Sequence, residues 1–232
     1  GDEGKGTVVA NYTKQSGGKV LNILTNGGAQ RGHSILTEDG SFLSDSGVCE
    51  ESLGEEGFYL ARTEGTDGEW TYRVKASGYK GLLYGVFHLL GLLRQGKGGD
   101  VSQIVKRPSN PLRMMNHWDN MDGSIERGYS GRSFFFENNE MIIDERTGLY
   151  ARAMASVGIN GVVINNVNVK DAATYLISPS YYEKVRALSE LFAGYGISLF
   201  LSVNYAMPLE CGVDTADPLD NKVQDWWADK CR

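Results

Sequence analysis

Three apolar runs alternate with helical patterns in the second half of the chain, and this alternation limits the folds open to it. The runs are predicted as strands at 112–117, 161–166 and 197–204. Strands that are apolar along their whole length are typical of parallel sheets, which helices cover on both faces. No glycine-rich loop of the dinucleotide-binding kind follows the first strand. We therefore predict an α/β fold containing the first three βα units of an incomplete (β/α)₈ TIM-type barrel.

Two segments precede this partial barrel. Strands are predicted at 57–63 and 69–76 around a Gly-Thr-Asp-Gly turn. A helix at 80–95 carries a wide apolar stripe, on which His88 is expected to be a packed core histidine. The chain is thus predicted to contain a glycine-rich segment over 1–41, a small α+β domain over 42–108 and the partial barrel over 109–232.

Local signals predict where other elements begin. A helix is expected over 144–157. Ser178 and Asp217 are each followed by proline and are expected to be the N-caps of the next two helices. In the first segment a helix is predicted over 7–15 and strands over 20–25 and 34–37.

The charge balance excludes several kinds of partner. The formal net charge is -6, whereas binding to nucleic acid or to an anionic membrane needs a basic surface. No apolar run approaches the ~20 residues of a membrane-spanning helix. No signal peptide opens the chain, and a bacterial cytoplasmic or periplasmic setting is expected. Neither the cysteines nor Asp214, Asp217 and Asp220 have the spacing of a metal site, so no metal is predicted.

The predicted strand ends carry side chains suited to sugar binding. Trp118 follows the first barrel strand, and an indole stacks on the C–H face of a sugar. Amides and carboxylates bind sugar hydroxyls, and the strand ends supply Asp119, Asn120, Asn165, Asn166 and Asn168. In the alternative interpretation, Trp118 packs between layers and the asparagines only shape turns.

An acidic cluster follows the first strand. A glycosidase needs two carboxylates on opposite sides of the bond, but Asp119, Asp122 and Glu126 all lie in one loop. A role in orienting substrate or in capping the loop is expected instead. Arg127 and Arg132 either hold a uronate carboxylate or form salt bridges with this cluster.

Long stretches of the chain resemble the α-glucuronidases of glycoside hydrolase family 67. From about residue 50 onward, they include GLLYGVFHLL, PLRMMNHWDNMDGSIERGYSGRSFFF, ASVGINGVVINNVNV, YGISLFLSVNYAMPLE and DTADPLDNKVQDWW. The resemblance implies a small α+β domain followed by a (β/α)₈ barrel. It also implies inverting removal of (4-O-methyl)glucuronic acid from xylan oligosaccharides, without a cofactor.

The resemblance also implies where the substrate lies. The sugar pocket would use Trp118 and the strand-end residues Asn165, Asn166, Asn168 and Val169, and Val169 or Val167 would lie near the 4-O-methyl group. The family's catalytic carboxylates are expected beyond Arg232, so no residue here is assigned a catalytic role. The chain alone is expected to be inactive. Its open sheet edges are expected either to pair in an oligomer or to remain an open sheet that the first two segments cover.

The first forty residues have a different resemblance. GDEGKGTVV and NGGAQRGHSI are similar to the start of adenylosuccinate synthetase. This similarity implies that Asp2 activates IMP, that Lys5 contacts GTP phosphates and that His33 is the acid partner. A GTP- and IMP-binding segment is therefore the alternative function, and a non-catalytic carbohydrate-binding or structural domain is the third.

Overall fold

The computed structural model describes residues 23–26, 53–66, 68–128 and 131–231. The chain divides into two compact units, Gly1–Pro111 and Leu112–Arg232. Both contain helices and strands, so the predicted mixed α/β class is confirmed. Asp2, Lys5, His33 and the elements predicted over 7–15 and 34–37 lie outside the described residues.

The first unit contains a four-stranded sheet. Its strands are β1 (Ile23–Asn26), β2 (Phe58–Glu64), β3 (Trp70–Ala76) and β4 (Gln103–Lys106), in the spatial order β1-β3-β2-β4. The predicted pair, β2 and β3, is antiparallel, and β1 lies parallel to β3. Strand β4 was not expected from the sequence, and it pairs with the other edge of β2.

Helix α1 (Tyr79–Arg94) packs on β2 and β3, and glycines set how closely it approaches. A Cβ added at Gly81 would lie 2.2 Å from the Gly57 carbonyl oxygen, and one at Gly85 would lie 2.5 Å from a methyl of Val74. The helix therefore turns Gly81 and Gly85 toward the sheet, together with Tyr84 and Leu89. Among the described residues, the core between this helix and the sheet includes Phe58, Leu60, Tyr72, Val74, Ala76, Tyr84, Leu89 and Val101.

His88 packs on this core, as predicted. Its ring lies 5.5 Å from that of Phe58, and the rings are tilted by 44°. Burial lowers the pKa of His88, and the positive charge of Lys106 lowers it further. His88 is half-buried, and both effects favour its neutral imidazole.

The second unit is built on three short parallel strands. They are β5 (Met114–Asn116), β8 (Gly161–Val163) and β9 (Ser198–Phe200), and β8 lies in the middle. Each lies inside a predicted strand. Between β5 and β8 come a hairpin, β6 (Phe136–Glu137) and β7 (Glu140–Met141), and helix α2 (Glu145–Ser156). The later helices are α3 (Tyr182–Ala193), α4 (Met207–Glu210) and α5 (Asn221–Lys230).

Turn and cap residues explain several boundaries in this unit. Asn138 and Asn139 have φ values of 51° and 63°, which fit the two central positions of a tight hairpin turn. Asp144 caps α2, because its carboxylate accepts a hydrogen bond from Thr147 N at 3.1 Å and Thr147 Oγ1 accepts one from Asp144 N. This cap agrees with the predicted start of the helix.

The two predicted N-caps at Ser178 and Asp217 are wrong. Helix α3 begins after Tyr181, because Ser178 forms a turn in which its carbonyl accepts a hydrogen bond from Tyr181 N at 3.0 Å. Helix α5 is capped by Asp220, whose carboxylate accepts from Lys222 N at 2.8 Å. Asp217 instead accepts from Leu219 N within the preceding turn.

The described residues of the second unit do not form a closed barrel. They form an open sheet whose edges are β5 and β9. Every helix among the described residues falls short of the length and apolarity that crossing a bilayer requires.

Candidate functional site

The polar residues that follow the three strands meet at the carboxyl end of the sheet. His117 N donates to Val163 O at 2.9 Å, which continues the pairing of β5 and β8. One step further, Asn166 N donates to Asp119 O at 2.9 Å. The strand-end segments that carry Trp118 and Asn166 are therefore neighbours at one rim, as parallel strands require.

Trp118 lies at this rim with 39% of its surface exposed. Its backbone carbonyl accepts a hydrogen bond from Glu126 N at 3.0 Å, which fixes the loop after β5 against the strand end. The backbone of Trp118 is therefore anchored, and its side chain is partly exposed to solvent. These are the features of a stacking platform for a sugar.

Asp119 is buried next to Trp118, with 3% of its surface exposed. One carboxylate oxygen accepts hydrogen bonds from Ser133 Oγ at 2.7 Å and Phe134 N at 2.6 Å. The other lies 3.5 Å from His117 Nδ1. Burial alone would raise the pKa of Asp119, but the hydrogen bonds from His117, Ser133 and Phe134 outweigh it and lower that pKa below its ordinary value. The carboxylate is thus ionised, and its hydrogen bonds are formed with other residues of the protein.

His117, which lies next to the Asp119 carboxylate, packs in an aromatic cluster with Phe135 and Tyr150. His117 Nε2 lies 2.7 Å from Tyr150 Oη, and the His117 ring lies 4.9 Å from that of Phe135 in an edge-on arrangement. Burial raises the pKa of Tyr150 to about 12, and the negative charge of Asp119 contributes to the shift. Sequence reasoning missed Tyr150 and Ser133, because each joins the site from a separate segment and neither has a local motif.

A second network holds the asparagines after β8. Asn166 is almost fully buried, and its amide nitrogen donates to Asn120 Oδ1 at 2.8 Å and to Glu126 Oε2. Its carbonyl oxygen accepts from Asn168 N at 2.9 Å. The exposed Asn168 also donates from its side chain to Glu126 Oε1 at 3.4 Å. Glu126 therefore orients two amides at the rim.

Asn165 joins the central strand to the third one. It is fully buried, and its amide donates to Ser202 O at 3.1 Å while its carbonyl accepts from Ser202 N at 2.8 Å. These two hydrogen bonds resemble the backbone pairing of a sheet and lie beyond the end of β9. The side-chain oxygen and nitrogen of Asn165 are therefore already bonded to the neighbouring strand.

The remaining residues singled out in the sequence lie nearby. Val169 is half-buried, whereas Val167 is 59% exposed. Arg132 is exposed and lies 3.7 Å from the carboxylate of Glu137, and Arg127 is exposed with a left-handed backbone (φ 59°). Asp122 Oδ1 accepts from the backbone nitrogen and hydroxyl of Ser124 at 2.8 and 2.6 Å, and these bonds lower the pKa of Asp122.

A polar recess of about 140 Å³ opens between the loops that follow β5 and β8. Its wall includes Asn120, Asp122, Asn166 and Asn168. Asn139 contributes from the tip of the β6–β7 hairpin. Of the residues predicted to bind substrate, Asn120, Asn166 and Asn168 line this recess, whereas Trp118, Asp119, Asn165 and Val169 do not.

The acidic residues near the end of the chain have structural partners. Lys222 Nζ lies 2.8 Å from a carboxylate oxygen of Asp214, and this hydrogen bond lowers the pKa of Asp214. Asp217 and Asp220 form the turn and the helix cap described above. Within the described part of the chain, no group of three or more histidine, cysteine, aspartate or glutamate residues is arranged to hold a metal ion.

Comparison with known proteins identifies the family. The model of the glycosyl hydrolase family 67 middle domain matches residues 92–232, more than half of the chain. The chain belongs to glycoside hydrolase family 67. The resemblance inferred from the sequence is therefore confirmed.

Individual relatives agree with this family 67 assignment. The probable alpha-glucuronidase A of Aspergillus oryzae is 43% identical over 179 residues, which cover 76% of this chain and 20% of that protein. The alpha-glucuronidase of Hypocrea jecorina is 38% identical over 187 residues, which cover 77% and 21% respectively. The chain thus spans about a fifth of the length of these curated relatives.

Among solved structures, a family 138 glycoside hydrolase that targets pectin rhamnogalacturonan II matches with a TM-score of 0.49 and 16% identity. The match covers 89% of this chain and 28% of that one. A similarity of this degree does not bear on the activity of the family 67 chain.

Proposed function

We propose that this chain forms part of an α-glucuronidase and binds xylan-derived oligosaccharides that carry (4-O-methyl)glucuronic acid. In this proposal β5, β8 and β9 are the first three strands of a (β/α)₈ barrel within 109–232. A small α+β domain over 42–108 and the glycine-rich segment 1–41 precede them. Family membership and the parallel order of the three strands support this arrangement.

The observation that carries the proposal is the position of Trp118 at the rim. Trp118, which is partly exposed, comes two residues after the end of β5, and the oriented amides of Asn166 and Asn168 follow the neighbouring strand. Carbohydrate sites combine such an aromatic face with a few fixed polar groups. Since Asp119 and Glu126 hold both sets of residues by hydrogen bonds, little conformational freedom is lost when a sugar binds.

The proposed contribution of the chain is binding and orientation rather than proton transfer. A glycosidase acid or base must reach the glycosidic oxygen or a water molecule with a free carboxylate. The oxygens of Asp119 and Glu126 already accept hydrogen bonds from their own chain, and Asp122 is engaged with Ser124. These three carboxylates therefore serve as framework, and we expect the 232-residue chain alone to bind without hydrolysing.

Calorimetry with an aldobiouronic acid, glucuronic acid linked to xylose, tests the proposal. The wild-type chain is expected to bind it, and Trp118→Ala is expected to weaken binding at least tenfold, as loss of a central aromatic contact does. Trp70→Phe is the matched control, because Trp70 lies in the first unit under the guanidinium of Arg62. Equal affinity of the wild type and Trp118→Ala would refute the proposed role of this rim.

A further inference from the structure

The two residues on either side of Trp118 are held inside the protein. His117 N and Asp119 O both form hydrogen bonds with β8 and the segment after it, so residues 117–119 continue the extended strand. Successive side chains of an extended segment point to opposite faces. His117 and Asp119 are largely buried, whereas Trp118 between them is 39% exposed. The contacts that hold the two inner side chains therefore also set the position of the indole.

The His117 ring is one of the two points at which this segment is held, the other being the Asp119 carboxylate with its bonds to Ser133 and Phe134. His117 Nε2 lies 2.7 Å from Tyr150 Oη, and Nδ1 lies 3.5 Å from Asp119 Oδ1. The ionised carboxylate can only accept, so Nδ1 carries the proton that meets it. In the neutral ring Nε2 then accepts from the Tyr150 hydroxyl. By distance, the bond to Tyr150 is the stronger of the two.

The Tyr150 hydroxyl is placed by a rigid element. Tyr150 lies in the middle of α2, and its ring lies 4.8 Å from that of Phe134 and 6.3 Å from that of Phe192. The pKa of Tyr150 is raised to about 12, so the hydroxyl keeps the proton that it donates. A phenylalanine at this position would keep the ring contacts but would leave His117 Nε2 without this donor. The hydroxyl therefore contributes orientation rather than packing.

We propose that Tyr150 is a positioning residue for sugar binding, because its hydroxyl fixes the His117 ring and thereby the strand end that carries Trp118. In this role Tyr150 does not touch the sugar. The inference rests on the proposed function, since that function gives Trp118 its stacking role. Without the hydroxyl, the His117 ring keeps the longer contact with Asp119 and gains freedom to rotate. The neighbouring indole then occupies more than one position, and binding of a sugar includes the cost of ordering it.

Calorimetry with the aldobiouronic acid compares the wild type with Tyr150→Phe. The variant is expected to bind about threefold to tenfold more weakly, the range that corresponds to one lost hydrogen bond. Tyr182→Phe is the matched control, because Tyr182 is an exposed residue at the start of α3, and it should bind like the wild type. The assay temperature is one at which thermal melts show every variant folded, so a change in affinity does not reflect unfolding. Equal affinity of the wild type and Tyr150→Phe would overturn the inference.

The indole N–H signals in ¹⁵N spectra provide a readout that needs no ligand. Each of the four tryptophans gives one signal, and that of Trp118 is the one missing in Trp118→Ala. Tyr150→Phe is expected to shift or broaden the Trp118 signal and to leave those of Trp226 and Trp227, on α5, in place. A hydroxyl that served only the stability of the unit would leave the Trp118 signal of the folded protein unchanged, and that result would contradict the positioning role.

A double-mutant cycle tests the route through His117. In His117→Asn the shorter side chain can still bond to Asp119, but it does not extend as far as Tyr150. If Tyr150 acts through His117, adding Tyr150→Phe to this variant should weaken binding by less than about twofold. A full further loss of about threefold to tenfold would show that Tyr150 acts independently of the His117 ring, contrary to the inference.

The two proposals fail separately. Wild-type affinity in Trp118→Ala would refute the proposed function, and the indole signal of Trp118 would then still decide whether Tyr150 fixes its position. If Trp118→Ala weakened binding while Tyr150→Phe did not, Tyr150 would lose its positioning role and the proposed function would stand.

Discussion

Replacing Asp119 by alanine should destabilise the second unit by about 3 kcal/mol. The hydroxyl of Ser133 and the backbone nitrogen of Phe134 both donate to this carboxylate, at 2.7 and 2.6 Å. Both donors would lose their acceptor, and Ser133 is itself buried. Each buried donor left without an acceptor costs about 1–3 kcal/mol. Asp119→Asn keeps one acceptor oxygen and should cost less, about 1–2 kcal/mol.

The effect should also depend on pH. The folded state lowers the pKa of Asp119 from the ordinary 3.8. A lowered folded pKa means that the carboxylate contributes its stability at pH values above 3.8 and loses it as the pH falls through the lower folded value. The wild type and Asp119→Asn should therefore differ fully at neutral pH and converge in acid.

Denaturant unfolding followed by tryptophan fluorescence measures both effects. In a Trp70→Phe background the remaining tryptophans, Trp118, Trp226 and Trp227, all lie in the second unit. Asp225→Asn provides a charge-matched control on an exposed helix surface. A loss below about 0.5 kcal/mol in Asp119→Ala, the size of an ordinary surface substitution, would refute the argument that Asp119 is a structural junction.

Three further outcomes are expected. Gly81→Ala should destabilise the first unit by more than about 2 kcal/mol in thermal melts, since the new Cβ would lie 2.2 Å from the Gly57 carbonyl oxygen. Gly91→Ala in the same helix is the control: its Cβ would meet nothing within 4 Å, so the substitution should stabilise the unit by about 0.5–1 kcal/mol. The pKa of Tyr150 is raised to about 12, so at pH 10 this residue should still be a neutral phenol. The ultraviolet difference spectrum between the wild type and Tyr150→Phe should then show no tyrosinate at pH 10, and a tyrosinate signal would contradict the burial of Tyr150 beside His117. The open edges β5 and β9 should pair between chains, so light scattering should give a mass above that of the 25.4 kDa monomer, and a monodisperse monomer would rule this out.

The sequence predicts the elements well where a strong local pattern exists. The helix over 144–157 follows from the helical spacing of its apolar residues, and the strand pair around 65–68 follows from its turn residues; both are present. Strand β4 was missed because its four residues, QIVK, are too few to show an alternating pattern, and the strand lies at an edge of the sheet where only Ile104 is half-buried. The cap of α5 was misplaced because Asp217 and Asp220 both precede the helix, and spacing alone does not show which carboxylate meets a free backbone nitrogen.

The location of the candidate site could be predicted for a general reason. Parallel strands place their carboxyl ends together, so polar residues that follow them must become neighbours. The hydrogen bond from Asn166 N to Asp119 O shows that the residues after β5 and β8 are neighbours. The partners of each side chain could not be predicted, because they come from distant segments: the carboxylate of Asp119 is held by Ser133 and Phe134, which lie 14 and 15 residues further along the chain.

Burial and hydrogen-bond partners divide the polar rim into two sets with different expected behaviour. Asp119 and Asn165 are buried and saturated with hydrogen bonds, so substitutions there should act mainly through the stability of the fold. Trp118 and Asn168 are exposed and anchored by their backbones, so substitutions there should act through ligand affinity. Asp119 O accepts a hydrogen bond from Asn166 N, and the side chain of Asn166 accepts one from Asn168 N. A loss of structure at Asp119 should therefore also disturb Asn168, whereas substitution of an exposed residue should change affinity alone.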